Sequence, residues 1–100
     1  MNEYKSEVDT RLILPKMSKV IMLNDDFTIQ DFVVLILKEV FNKNINEATN
    51  IMLEIHNNGR GICGIYTYDI AQTKANIATQ KSREAGFPLR IIIEEEQWKK

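Results

Sequence analysis

Cysteine is nearly absent from this sequence, and neither sign of charge predominates. The single cysteine, Cys63, excludes an internal disulfide and favours a reducing compartment, so we expect a cytoplasmic protein. Thirteen basic residues stand against fourteen acidic ones, and a formal charge of -1 gives no field that would attract a nucleic acid or an anionic membrane. Any binding site is therefore expected to be local, with neither nucleic acid nor membrane as a partner.

Long apolar segments and catalytic signatures are also missing. No uncharged apolar run is long enough to span a bilayer, and residues 1–16 lack the apolar core of a signal peptide. The sequence has no phosphate loop of the form G-x-x-x-x-G-K-[ST], no metal-ligand spacing and no calcium loop, and "GRG" at residues 59–61 favours a turn. We therefore expect no cofactor, no metal and no enzymatic activity.

Cys63 and His56 could be considered as a cysteine nucleophile and a histidine base. Cys63 lies in an apolar stretch that reads as a buried strand, and His56 has no evident link to it. The favoured interpretation of Cys63 is a small hydrophobic side chain packed in the core.

The chain has the length and apolar content of one domain with one core, since it has 100 residues of which 44% are hydrophobic. Residues 1–16 are aperiodic and contain Pro15, so they are predicted to be a flexible extension, and residues 17–100 the folded core. Val20 to Leu23 predict a strand. Thr28, with Asp31 three residues later, predicts a helix start of the capping-box type. The residues expected on the buried face of this helix are Ile29, Phe32, Val33, Ile36, Leu37 and Val40.

The second half of the chain predicts two more helices and two more strands. Asn46 is expected to cap a second helix that ends at "NNG" and buries one side, formed by Ala48, Ile51, Met52 and Ile55. Residues 61–68 predict a strand that is weakened or bulged at Gly64, and "LRIIIEE" predicts the last strand. Between them a third helix is expected from about Asp69 to the break at Gly86, with one side formed by Ile70, Lys74, Ile77 and Ala78. The order β-α-α-β-α-β predicts an α+β fold, a three-stranded antiparallel sheet covered on one face by three helices.

The stretch "VIMLNDDF" ends an apolar strand on an amide and two carboxylates. Adjacent like charges repel, so these residues predict either a turn or a place that receives a cation. His56 follows Met52 by four residues, which puts an apolar wall and an imidazole on one edge of the second helix. Each residue taken alone has an ordinary explanation: a histidine that favours the helix dipole, turn acceptors at Asn24 and Asp26, and a core methionine.

Four blocks, "VIMLNDDFT", "IMLEIH", "GICGIYTYDIAQTKA" and "REAGFPL", occur in this order and together closely resemble the ClpS family of bacterial adaptors. The resemblance covers about Met17 to Glu94. It implies an adaptor that binds proteins with destabilising N-terminal residues (Leu, Phe, Tyr or Trp) and delivers them to a Clp AAA+ unfoldase and its protease. The fold that the family implies agrees with the element order.

The resemblance also implies a site for a free α-amino group, which is a cation that needs acceptors. Asn24 and His56 are expected in direct contact with the ammonium and Asp26 through water, while Asp25 adds charge or holds the peptide backbone. The pocket for the N-terminal side chain maps onto Leu23, Thr28, Gln30, Val33, Met52, Ile55 and Leu89. Gln30 stands where the family often has methionine.

A second surface, for docking on the N-terminal domain of the unfoldase, maps by resemblance onto Tyr66, Asp69 and Lys74. The alternative for these residues is a solvated helix start, in which Asp69 favours the helix dipole. The alternative function is that of a structural or ribosome-associated interaction domain, because the C-terminal domain of the ribosomal stalk protein shares this fold. Such a domain would have no reason to place Asn24, Asp26 and His56 around an apolar pocket.

Overall fold

The computed structural model describes residues 16–96. Three strands form an antiparallel sheet in the order β2-β1-β3, so that the first strand of the sequence lies at its centre. The strands are β1 (Met17–Leu23), β2 (Arg60–Thr67) and β3 (Arg90–Glu95). The extension predicted for residues 1–16 lies, apart from Lys16, outside the described residues.

The helices are α1 (Gln30–Glu39), α2 (Ile45–Asn58) and α3 (Tyr68–Glu84). The predicted order β-α-α-β-α-β and the three-stranded antiparallel sheet are therefore confirmed. The core lies between the sheet and the helices, where Val20, Met22 and Cys63 pack against the helices' apolar faces. No helix within residues 16–96 combines the length and the apolar character needed to cross a membrane.

The bulge predicted in β2 is present. Val20 of β1 is opposite Gly64, whereas the next residue pairs with Ile62, so Cys63 is the extra residue of β2. A Cβ atom at position 64 would lie 2.6 Å from the ring carbons Cε2 and Cζ of Tyr66. Glycine is therefore needed here because the Tyr66 ring lies over the backbone.

The start of α1 differs from the prediction. The helix begins at Gln30, its N-cap is Ile29, and no side chain caps it, so the capping box of Thr28 and Asp31 is wrong. The Thr28 amide and hydroxyl instead both donate to the Asp25 carboxylate, which takes the acceptor role predicted for Asp31. Ile29 was assigned to the buried face but is 56% exposed, because it precedes the helix. The other predicted positions of this face are buried or partly buried: Phe32, Val33, Ile36, Leu37 and Val40.

The cap of α2 is Asn44 and not Asn46. Its side chain accepts a hydrogen bond from the Glu47 amide at 2.8 Å, and the Glu47 carboxylate accepts one from the Asn44 amide at 3.0 Å. This reciprocal capping box moves the helix start two residues earlier than predicted. The helix ends as predicted at Gly59, which adopts the left-handed conformation (φ 91°).

The buried face of α3 was predicted only in part. Ile70 is 49% exposed and Ile77 43% exposed, although Ala78 is buried as expected. The face that contacts the core consists of small residues spaced three or four apart: Ala71, Ala75, Ala78 and Ser82. Small side chains let a helix approach a sheet closely, so the apolar isoleucines were a misleading signal for this face.

Candidate functional site

The loop between β1 and α1 is tied to the end of α2. The backbone amide of Asn24 donates a 2.9 Å hydrogen bond to the carbonyl oxygen of Gly59, the residue that ends α2. Leu23 and Arg60 are paired in the sheet directly beside this bond. The chain segment that carries the amide and the carboxylates therefore lies next to the helix end that carries His56.

Asp25 organises the same loop. One carboxylate oxygen accepts hydrogen bonds from the amides of Phe27 (2.8 Å) and Thr28 (2.7 Å), and the other accepts one from the Thr28 hydroxyl (2.8 Å). Burial raises the pKa of the Asp25 carboxyl, but the hydrogen bonds from Thr28 and Phe27 and the charge of Arg83 together hold this pKa below its usual value. Asp25 is thus an ionised acceptor whose two oxygens are already engaged inside the loop.

A cavity of about 630 Å³ opens between this loop, the start of α1 and the second half of α2. Its lining combines acceptor groups with an apolar wall. The lining residues are Asn24, Asp25, Asp26, Phe27, Thr28, Ile29, Gln30, Asp31, Val33, Met52, Ile55 and His56.

All four residues predicted to bind an α-amino group line this cavity, namely Asn24, Asp25, Asp26 and His56. Five of the seven residues predicted for the side-chain pocket line it too: Thr28, Gln30, Val33, Met52 and Ile55. The other two do not. Leu23 is half-buried at the end of β1, and Leu89 is 1% exposed and belongs to the core.

Three lining residues were not predicted: Phe27, Ile29 and Asp31. Phe27 is 74% exposed. Large apolar side chains that stay exposed beside a cavity are typical of binding surfaces. The sequence did contain a signal, because Phe27 and Ile29 are apolar residues inside a polar turn. The prediction that the helix starts at Thr28 concealed it by placing Ile29 on the buried face of the helix.

The charged residues that line the cavity are all acidic. Three aspartates, Asp25, Asp26 and Asp31, contribute to the lining, and no lysine or arginine does. The Asn24 amide and the His56 imidazole add polar atoms close to the carboxylates, while Val33, Met52 and Ile55 supply the apolar wall. Such an arrangement suits a ligand with a cationic end and an apolar side chain.

The residues predicted to dock on the unfoldase lie at the junction of β2 and α3 and do not line the cavity. The Lys74 ammonium donates a 2.8 Å hydrogen bond to the carbonyl oxygen of Val40 and lies 5.4 Å from the centroid of the Tyr66 ring. Tyr66 is half-buried, and burial, together with the nearby Cys63, raises the pKa of its hydroxyl. Asp69 is exposed in the first turn of α3.

Cys63 has the properties of a core residue. It is fully buried, and burial raises the pKa of its thiol to about 12, so a reactive thiolate is disfavoured. The prediction of a packed hydrophobic side chain is confirmed. Within residues 16–96 no three His, Cys, Asp or Glu side chains are grouped so as to hold a metal ion.

Comparison with known proteins identifies the relatives of this chain. Residues 14–92 match the family described as "ATP-dependent Clp protease adaptor protein ClpS". The ATP-dependent Clp protease adapter protein ClpS of Helicobacter hepaticus is 54% identical over 92 residues, which cover 92% of this chain and 93% of that protein. The protein of the same name from Wolinella succinogenes is 49% identical over 96 residues, with 94% of each chain covered.

A solved structure supports the same assignment. The structure of Agrobacterium tumefaciens ClpS2 bound to L-phenylalaninamide is 41% identical, with a TM-score of 0.80, and the match covers 83% of this chain and 100% of that one. The fold, the family match and the relatives all indicate the same family, and the family match covers nearly all of the described residues. This chain belongs to the ClpS family, whose members are adaptors of the ATP-dependent Clp protease and not enzymes.

Proposed function

We propose that this adaptor recognises the free N-terminus of proteins that begin with Leu, Phe, Tyr or Trp and delivers them to a Clp AAA+ unfoldase in the cytoplasm. The observation that carries the proposal is the cavity in which aspartates and polar acceptors meet an apolar wall. The bound ligand of the Agrobacterium relative, L-phenylalaninamide, has both an ammonium group and an apolar side chain, and therefore has the chemistry that this cavity suits.

The α-amino group of the substrate is assigned to the acidic end of the cavity. An ammonium offers only N–H donors, so it needs acceptors placed around it. The Asn24 side-chain oxygen and a ring nitrogen of His56 serve as direct acceptors, and Asp26 contributes through water. Asp25 stabilises the cation chiefly by its charge, because three hydrogen bonds from Phe27 and Thr28 already engage both of its oxygens.

The first side chain of the substrate is assigned to the apolar wall. Val33, Met52 and Ile55 line the cavity from two helices, and Thr28 and Gln30 form its rim. Burying a Leu or Phe side chain is worth about 1.5–3 kcal/mol, to which the ammonium contacts add charge-assisted hydrogen bonds. Together these contributions are compatible with a Kd of about 1 µM or somewhat below.

Delivery requires a second contact, with the N-terminal domain of the unfoldase. Tyr66, Asp69 and Lys74 are the residues assigned to it by resemblance to the family. Lys74 and Tyr66 contact one another, and the Lys74 ammonium is held against Val40, so these two side chains form a fixed surface. Asp69 is exposed in the first turn of α3 and supplies a carboxylate to a partner.

The decisive experiment measures binding of two peptides that differ only at the N-terminus. A fluorescent peptide that begins with free Leu should bind, whereas the same peptide acetylated should not, because acetylation removes the charge and a donor. Fluorescence anisotropy measures both affinities, and equal affinities would refute an ammonium receptor. A peptide that begins with free Ser tests the apolar wall separately, since it keeps the ammonium and lacks the apolar side chain.

A further inference from the structure

A second groove adjoins the cavity. It has a volume of about 650 Å³ and is lined by Phe27, Arg83, Gly86, Phe87 and Pro88. Phe27 lines both the cavity and this groove, so the two are continuous across one exposed aromatic ring. The groove contains none of the residues assigned to the α-amino group, to the first side chain or to unfoldase docking.

The wall of this groove is held in place by the end of α3. Nη1 of Arg83 donates hydrogen bonds to the carbonyl oxygens of Phe87 (3.1 Å) and Leu89 (2.8 Å). The Phe87 ring packs on Phe32 of α1, with 4.8 Å between the ring centroids and 46° between the ring planes. The segment after α3 therefore presents Phe87 and Pro88 as a fixed apolar surface, while Phe27 faces it from the loop.

The groove and the cavity differ in charge. Arg83 forms no ion pair within 4 Å in the part of the chain that the structure describes, and it is the only charged residue that lines the groove. The cavity, in contrast, is lined by three aspartates and no lysine or arginine. An ammonium is thus favoured on the cavity side of Phe27 and disfavoured on the groove side.

We propose that this groove is a subsite for the second residue of the bound N-terminus and that it prefers an aromatic side chain there. The inference rests on the proposed function. In an extended peptide successive side chains point in opposite directions, about 3.3 Å apart along the chain, so residues one and two fit two depressions that share one wall. An aromatic ring matches the groove in two respects: it packs on Phe27 and Phe87, and its face attracts the Arg83 guanidinium.

The test compares three peptides that begin with free Leu and are followed by Phe, Ala or Glu, with identical residues after that. Their affinities are measured by anisotropy for the wild-type chain, Phe27→Ala, Phe27→Tyr and the control Leu53→Ala, which removes another exposed apolar side chain that lines neither depression. The wild-type chain should bind Leu-Phe about three- to tenfold more tightly than Leu-Ala. The ratio should approach one in Phe27→Ala and persist in Phe27→Tyr and Leu53→Ala.

The outcomes separate the subsite from the proposed function. Binding of free Leu-Ala without any preference for Leu-Phe would overturn the subsite and leave the ammonium receptor standing. A preference for Leu-Glu over Leu-Phe would overturn the aromatic assignment in favour of a carboxylate bound by Arg83. A preference for Leu-Phe that survives in Phe27→Ala would also overturn the subsite. If no peptide with a free N-terminus binds, both proposals are refuted. Circular dichroism of Phe27→Ala verifies its folding.

Discussion

Lys74 of α3 places its ammonium nitrogen 2.8 Å from the carbonyl oxygen of Val40, the residue that ends α1. The carboxyl end of a helix carries partial negative charge and leaves carbonyl groups without intrahelical donors. Lys74 satisfies one of these carbonyl groups and joins two helices that are far apart in sequence. A residue assigned to docking thus also has a structural role.

Replacing Lys74 by methionine tests this structural role. The substitution keeps most of the side-chain length and removes the donor, so we expect the free energy of unfolding to fall by about 1 kcal/mol. Urea denaturation measures it, with Lys81→Met, an exposed lysine of the same helix, as the matched control. Equal stability of the two variants would show that the bond to Val40 contributes nothing, and any effect on unfoldase docking could then be attributed to the surface alone.

Asp25 should make the stability of the protein depend on pH in the acid range. The pKa of this carboxyl is below its usual value of 3.8, so its ionised form stabilises the folded state at every pH above that value. This contribution is lost as the pH falls through the lowered pKa. Asp25→Asn should therefore be less stable than the wild-type chain near neutral pH, and the difference should shrink below about pH 4. Urea titrations at several pH values would contradict this if the difference stayed constant.

Met52 should contribute to binding more than to the core, because it is half-buried and lines the cavity. Met52→Ala removes part of the apolar wall, and the affinity for peptides that begin with Leu or Phe should fall about tenfold. Leu53→Ala, its exposed neighbour, is the matched control. Should Met52→Ala lower the free energy of unfolding by several kcal/mol while the affinity of the folded fraction is unchanged, Met52 belongs to the core.

Gln30 should set the selectivity of the cavity rim, where the family often has methionine. Its side chain is exposed and lines the cavity at the first residue of α1. Gln30→Met adds an apolar contact for the first side chain, and the preference for Leu over Ile at the peptide N-terminus should increase. Competition anisotropy gives this ratio directly. An unchanged ratio would mean that position 30 does not contact the first side chain.

Cys63 should be inert in the native protein. Its thiol is fully buried with a pKa of about 12, so almost no thiolate is present at pH 8. Ellman's reagent should leave the native thiol unmodified and modify it quickly in denaturant. Rapid native modification would show frequent opening of β2 around its bulge.

Sequence periodicity predicted the strands and the order of elements because each apolar run was short, distinct and separated by polar turns. It failed where local hydrogen bonds compete. Thr28 looked like a helix cap, yet its amide and hydroxyl both donate to Asp25, three residues earlier, and not to Asp31, three residues later. Loop geometry decides between these two carboxylates. On α3 the large isoleucines pointed away from the true buried face, since close helix–sheet contact selects alanine.

The resemblance to the family identified most of the cavity lining, but Leu23 and Leu89, which it also assigned to the pocket, do not line the cavity. Leu89 is in the core, yet so are Val33 and Ile55, which do line the cavity, so burial alone does not decide which residues face it. Phe27 was missed for another reason: its exposure beside two depressions is a property of the folded loop. The family match also removes the alternative of a ribosome-associated domain, which the shared fold alone had left open.

The hydrogen bond from the Asn24 amide to Gly59 has a consequence for recognition. Pairing of Leu23 in β1 with Arg60 in β2 sets the position of both residues, so the sheet holds the loop that carries Asn24 against the end of α2. A preorganised receptor loses little conformational entropy on binding. Most of the entropy lost is then that of the ligand. Under the proposed function, selection among N-termini depends on how well each one fits this frame, and the sheet contributes to specificity by positioning the loop.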